Sequence, residues 1–145
     1  MLKQHELISA IGNMFDDTIA LARIMMSGIL DEYPTLKLVC PHLGGTLPFI
    51  LGRLEHQVKV LKRGPKSLKR SPREYLQQVY LDIVSPLPEA IRMVHDLFGP
   101  DRMIFGSDHP WVDPKVILDA LRGAKLGADV ERKIASENAK RLFRL

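Results

Sequence analysis

Cysteine occurs once in the 145-residue chain, at Cys40, so no intramolecular disulfide can form. A lone thiol in an apolar segment is expected to be a small buried residue. Long hydrophobic runs are missing too: nothing approaches the ~18 consecutive apolar residues of a helical membrane span. The opening residues, Met1-Leu2-Lys3-Gln4-His5-Glu6, show no basic segment followed by an apolar one, which argues against a signal peptide. A soluble cytoplasmic protein with no membrane partner is the expectation. Gly44-Gly45 lacks a GxGxxG or GKS/T setting, so no nucleotide-phosphate loop is expected.

Charge is plentiful but uneven. The net charge is +4, yet Lys59, Lys62, Arg63, Lys66, Lys69, Arg70 and Arg73 form one stretch without an acid. The remainder has 14 bases against 17 acids, so basicity is a local feature. Phosphate or nucleic-acid contact is electrostatically open to such a stretch. No aromatic residue interrupts it for stacking on bases, and a solvated loop without a nucleic-acid partner is the expected role.

Strand-like and helix-like segments alternate. An amphipathic helix is expected over residues 16–33, capped by Asp16 or Asp17 and stopped at Tyr33-Pro34. Its apolar positions Ile19, Leu21, Ala22, Ile24, Met25, Ile29 and Leu30 predict a broad face buried against a sheet. Strands follow over 36–40, 79–84 and 103–106. Helices are expected from Pro48 to about Leu61, from a capped start at Ser71-Pro72-Arg73-Glu74 through Gln78, over Pro88–Phe98, from Asp113-Pro114 to near Gly123, and over Asp129–Phe143. The alternation predicts one α/β domain, residues 1–145, with about three parallel strands. A closed (β/α)8 barrel needs roughly 200–250 residues, so any barrel reading is partial. The open sheet edges would invite another chain.

Two of the strands end in chemistry. Leu38-Val39-Cys40-Pro41-His42-Leu43-Gly44-Gly45 and Met103-Ile104-Phe105-Gly106-Ser107-Asp108-His109-Pro110 each stop abruptly at a titratable side chain. Parallel sheets build active sites at this carboxyl rim. An imidazole at His42 suits proton transfer near neutral pH, and a carboxylate at Asp108 suits a hard metal ion or proton transfer. The bland alternatives are a satisfied histidine at a strand end and a turn-capping Asp. His109 either lines the pocket or points away from Asp108, and Trp111 is pocket wall or core. Asp82 is a weaker rim candidate, with an interstrand hydrogen bond as its plainer role. Arg53 could snorkel or pair with Glu55. His56 and His95 are expected at the surface.

These segments carry a resemblance. Leu38 to Gly45, followed by Pro48-Phe49 and Gly52-Arg53, resembles the sixth strand and loop of amidohydrolase-related proteins. Within that superfamily the similarity is to the branch containing aminocarboxymuconate-semialdehyde decarboxylase and the hydroxybenzoate decarboxylases. Tyr75–Asp82 is similar to the seventh strand, Ile104–Trp111 to the eighth, and Asn138–Phe143 to the closing helix. Residues 16–39 resemble the helix before strand six. The resemblance implies a partial TIM-type (β/α)8 barrel, strands six to eight, and divalent-metal-dependent hydrolysis or non-oxidative decarboxylation of a small carboxylate-bearing or aromatic compound. It also implies His42 as catalytic acid/base, Asp108 as metal ligand, and Arg53 as a substrate-binding residue reaching a neighbouring subunit's substrate. The family's His-x-His pair is not present, so the ligand set for zinc, or alternatively manganese, is incomplete. The expectation is a chain inactive alone, in a homo-oligomer or completed by a complementary barrel chain; a non-catalytic remnant is the rival.

Overall fold

A computed structural model describes Leu2 and residues 4–145. The chain divides into two compact units, one holding the residues up to Cys40 and Gly44–Val79, the other Pro41–Leu43 and Tyr80–Leu145.

In the first unit a π-helical turn, Ile8–Gly12, runs directly into α1 (Asn13–Ser27). Asp16 and Asp17 therefore lie within a helix already under way, and neither is the expected cap. Gly28, at φ 85°, takes the left-handed conformation that ends α1, and α2 (Ile29–Glu32) follows as a separate turn. The continuous helix expected over 16–33 is thus broken by one glycine. Its broad buried face is also corrected: Thr18, Leu21, Met25 and Leu30 are buried, whereas Ile19 and Ile29 are exposed. One narrow stripe at three- and four-residue spacing packs inward, against α3 (Leu47–Lys59) and α4 (Pro72–Tyr75).

Strand β1 is Leu38–Cys40, shorter than expected because Leu36 donates its N–H to Tyr33 O (3.1 Å) and so belongs to the preceding turn. Cys40 is buried. Pro48 sits in the first turn of α3, where its missing N–H costs nothing. The start of α4 is closed as its sequence requires, Ser71 N–H donating to Glu74 Oε2 at 2.8 Å, and a 3-10 turn, Leu76–Gln78, leads on to β2 (Val79–Asp82).

In the second unit β2 pairs in parallel with β3 (Met103–Ile104), Leu81 beside Met103 and Asp82 beside Ile104. Strand β3 ends two residues early because Phe105 gives its N–H to Ile134 O (2.8 Å) instead of the ladder. Between the strands, α5 (Pro88–Phe98) buries Ile91 and Val94 and stops at Gly99. Asp113 caps α6 (Pro114–Gly123), its Oδ1 accepting Lys115 N–H at 2.8 Å. The closing helix comprises α7 (Ala128–Arg132), a π-helical stretch Lys133–Glu137 and α8 (Asn138–Phe143). Fully buried Asn138 ties it to β3 by donating to Pro100 O (2.7 Å) and Met103 O (2.8 Å). Among the described residues no helix is long and apolar enough to cross a membrane.

Candidate functional site

The backbone after β1 does something its side chains do not announce. His42, Leu43, Gly44 and Gly45 are four consecutive residues at positive φ (53°, 55°, 78° and 64°). Glycine enters this region freely, but an L-residue pays roughly 1–2 kcal/mol there, so His42 and Leu43 together cost about 2–4 kcal/mol. Asp108, beyond β3, is left-handed as well, at φ 61°. Strained non-glycine residues concentrate where a side chain must be aimed. Here both strained turns carry candidate chemistry.

The two side chains meet. His42 Nε2 lies 3.9 Å from Asp108 Oδ2, too far for a direct hydrogen bond and close enough for their charges to interact. The imidazole is mostly covered at 19% exposure, while the carboxylate is open at 41%. Asp108 O closes its own turn by accepting from Trp111 N–H (2.8 Å), with the His109-Pro110 bond cis inside it.

Asp82 belongs with this pair. Its carboxylate accepts Val84 N–H at 3.0 Å. Burial pushes its carboxyl above the usual range, and nearby backbone N–H groups and the His42 imidazole oppose the rise. Gly106 makes the room: a Cβ there would sit 3.0 Å from Asp82 Cβ and 3.1 Å from Oδ2. In place of the interstrand hydrogen bond expected of Asp82, its carboxylate takes the N–H of Val84, just past the end of its own strand. Period-two alternation puts Asp82 opposite the buried Leu81 but does not reveal that partner.

The other candidates are more dispersed. His109 is exposed beside Asp108. Trp111 is 84% exposed, which excludes the core alternative: the tight turn from Asp108 turns the indole outward. Arg53 is exposed on α3 and does not take Glu55, because that carboxylate is held by Lys59 (3.1 Å) and Arg73 (3.4 Å). His56 is exposed, and half-buried His95 contacts Asp96 at 3.0 Å. Part of the basic stretch is structural: Arg70 binds Asp31 at 3.0 Å and stacks over the Tyr75 ring at 4.6 Å. Lys62, Arg63, Lys66 and Arg70 line a cleft of about 470 Å³.

An ion at the rim would find Asp108 as an oxygen donor and His42 as a nitrogen donor. Among the described residues, no three His, Cys, Asp or Glu side chains gather to hold a metal. Two donors are fewer than the three or four protein ligands of a zinc centre, so these residues do not by themselves fit the ion.

Comparison with known proteins agrees with this architecture. The family model described as Amidohydrolase matches residues 8–145. Gamma-resorcylate decarboxylase of Polaromonas sp. (strain JS666) is 29% identical over 126 residues, 85% of this chain and 39% of the relative. The 2-amino-3-carboxymuconate-6-semialdehyde decarboxylase of Dictyostelium discoideum is 26% identical over 111 residues, 76% of this chain and 31% of that protein. A crystal structure of dihydroxybenzoic acid decarboxylase from Polaromonas sp. JS666, with bound manganese and the inhibitor 2-nitroresorcinol, superposes with a TM-score of 0.80 at 28% identity, covering 88% of this chain and 40% of that one. The chain thus spans less than two fifths of the two curated relatives and two fifths of the solved one.

Proposed function

Because the chain belongs to the amidohydrolase family, we propose that it forms the strand-six-to-eight part of a barrel that decarboxylates an aromatic or unsaturated carboxylate without oxidation. The observation that carries this reading is the meeting of His42 and Asp108 at 3.9 Å, on two turns held in left-handed backbone. The relatives' own activities on resorcylate and carboxymuconate semialdehyde support decarboxylation over hydrolysis.

Non-oxidative decarboxylation breaks the bond between a carbon and its carboxylate, and the electron pair stays on that carbon. A proton must arrive there as CO2 leaves. His42 is the group suited to deliver it, being mostly covered, at a strand end, and of a type that exchanges protons near neutral pH. Asp108 faces the imidazole across 3.9 Å. Arg53, exposed on α3, is the proposed partner of a neighbouring subunit's substrate carboxylate, and Trp111 and His109 are the proposed apolar and polar walls beside Asp108. Asp108 would give a divalent ion, zinc or manganese, one ligand, and the others would come from further polypeptide.

The test is CO2 release from 2,6-dihydroxybenzoate with manganese. This chain alone is expected to give none; mixed with the amino-terminal portion of the Polaromonas relative it is expected to turn over. Wild-type turnover matched by folded His42→Ala would overturn the assignment.

A further inference from the structure

We propose that the cleft following α3 binds a phosphate-bearing small molecule, its anionic group held by Lys62, Arg63 and Lys66. The cleft lies within the first unit, whereas His42 and Asp108 belong to the second, so the proposal does not depend on the decarboxylase reading.

The bases between Lys59 and Arg73 sort into two sets. Lys59 and Arg73 share Glu55, at 3.1 and 3.4 Å, and Arg70 takes Asp31 at 3.0 Å. Among the described residues no carboxylate pairs with Lys62, Arg63, Lys66 or Lys69. All but Lys69 of these unpaired cations line one cleft, and no described acid lines it. Arg70 lines it too, 28% exposed, while the Asp31 carboxylate that neutralises it is covered at 7%. Scattered surface lysines reach into water independently, but here the backbone gathers them. Arg63 donates its N–H to Gln57 O at 3.0 Å, turning the chain back after α3. Lys62 takes the left-handed conformation at φ 53°, which L-residues avoid. Gly64 follows at φ 107°, where a Cβ would stand 3.0 Å from Met26 Cε. At the far end Lys69 N–H and Arg70 Nε are both fixed on Asp31. The segment carrying the cations is thus tied at each end.

The ligand's chemistry follows from the lining. A volume of about 470 Å³ lies within the roughly 300–1,000 Å³ of small-molecule sites. Uncompensated cations in one cleft repel each other, and a multiply charged anion relieves that repulsion. A guanidinium beside two ammoniums suits phosphate oxygens, Arg through forked hydrogen bonds and Lys as point charges. Val58 and Leu68 give an apolar wall to whatever body carries the phosphate. A polynucleotide suits the cleft poorly, because no aromatic side chain lines it for a base to stack on.

Inorganic pyrophosphate is the probe. Titrated into the full chain at low salt, it should shift the backbone amide resonances of Lys62, Arg63, Gly64 and Lys66 and saturate with a Kd below about 1 mM. Lys62→Ala combined with Lys66→Ala should weaken binding about tenfold or more. Lys59→Ala combined with Lys69→Ala removes the same charge from outside the lining and should weaken it less than about threefold. All four lysines are exposed, so both double variants keep the core intact. Equal losses in the two would reduce the cleft to a diffuse basic surface and overturn the proposal, as would a titration that never saturates. Binding of single-stranded RNA, or of phosphatidylglycerol vesicles, that pyrophosphate cannot displace would overturn it as well.

Discussion

Two carboxylate-centred clusters, one in each unit, use similar residues to opposite ends. Around Asp31 every polar group is engaged: its oxygens accept from Arg70 Nε (3.0 Å), Lys69 N–H (3.0 Å) and Tyr75 OH (2.5 Å). Arg70 also donates to Leu30 O (2.6 Å) and Gln78 Oε1 (2.7 Å), and Gln78 Nε2 donates to Tyr33 O and Leu36 O. The arrangement ties the basic loop to the turns around α2 and β1. Around Asp108 the carboxylate is open, the imidazole stands 3.9 Å away, and the backbone beneath both is strained. A covered, fully bonded network holds chain together; a solvent-open carboxylate facing an imidazole across strained turns is placed for chemistry. Charge and residue type do not separate the two, whereas exposure and backbone conformation do.

The largest expected effect that distinguishes them is on turnover. His42→Ala should lower CO2 release by the equipment's full share of proton transfer, about 10²–10⁴-fold, in the reconstituted assay. Its urea midpoint should stay close to wild type. Arg70→Ala should do the reverse, costing about 2–3 kcal/mol of unfolding free energy by leaving Asp31 and Gln78 short of partners, with turnover per folded molecule unchanged. A stability loss in His42→Ala as large as that of Arg70→Ala would erase the contrast.

Acid sharpens it. Burial raises the Asp31 carboxyl, but the Tyr75, Lys69 and Arg70 bonds outweigh that and leave it below the ordinary value of 3.8. A carboxyl depressed by folding adds stability that is complete above its unfolded value and fades as pH falls through the folded one. Urea midpoints should therefore drop below about pH 4, and Asp31→Asn should flatten that limb even though it starts less stable. An equally steep acid limb in the variant would remove Asp31 as its source.

The smallest effect concerns strain. His42→Gly relieves a left-handed L-residue and should raise unfolding free energy by up to about 1 kcal/mol while turnover is lost. Gain in stability with loss of activity is the signature of a residue kept for function. A stability loss in His42→Gly would show that the imidazole packs more than it strains.

Much of this is legible in the chain itself. Pro88–Phe98 and Pro114–Gly123 are framed by Pro at the start and glycine at the end, and both helices occupy the expected residues. The Ser71–Glu74 pattern likewise closes as its spacing requires. What could not be read depends on distant partners. Strand β3 is cut short by Ile134, thirty residues away, and the buried stripe of α1 is narrower than its composition because apolar residues do not say which face is covered. The left-handed run was half visible: Gly44-Gly45 signals it, while nothing in the identities of His42 and Leu43 does. Asp82 falls in the same class, since a carboxylate at a strand end gives no hint of which backbone it will meet.

The central claim is tested most directly by deuterium at the carbon that loses its carboxylate. With the reconstituted, manganese-supplied enzyme turning over 2,6-dihydroxybenzoate in D2O, wild type should form resorcinol carrying one new C–D bond, and His42→Ala should form at least about a hundredfold less of it per unit time. Equal rates of C–D formation in the two would contradict His42 as the proton donor.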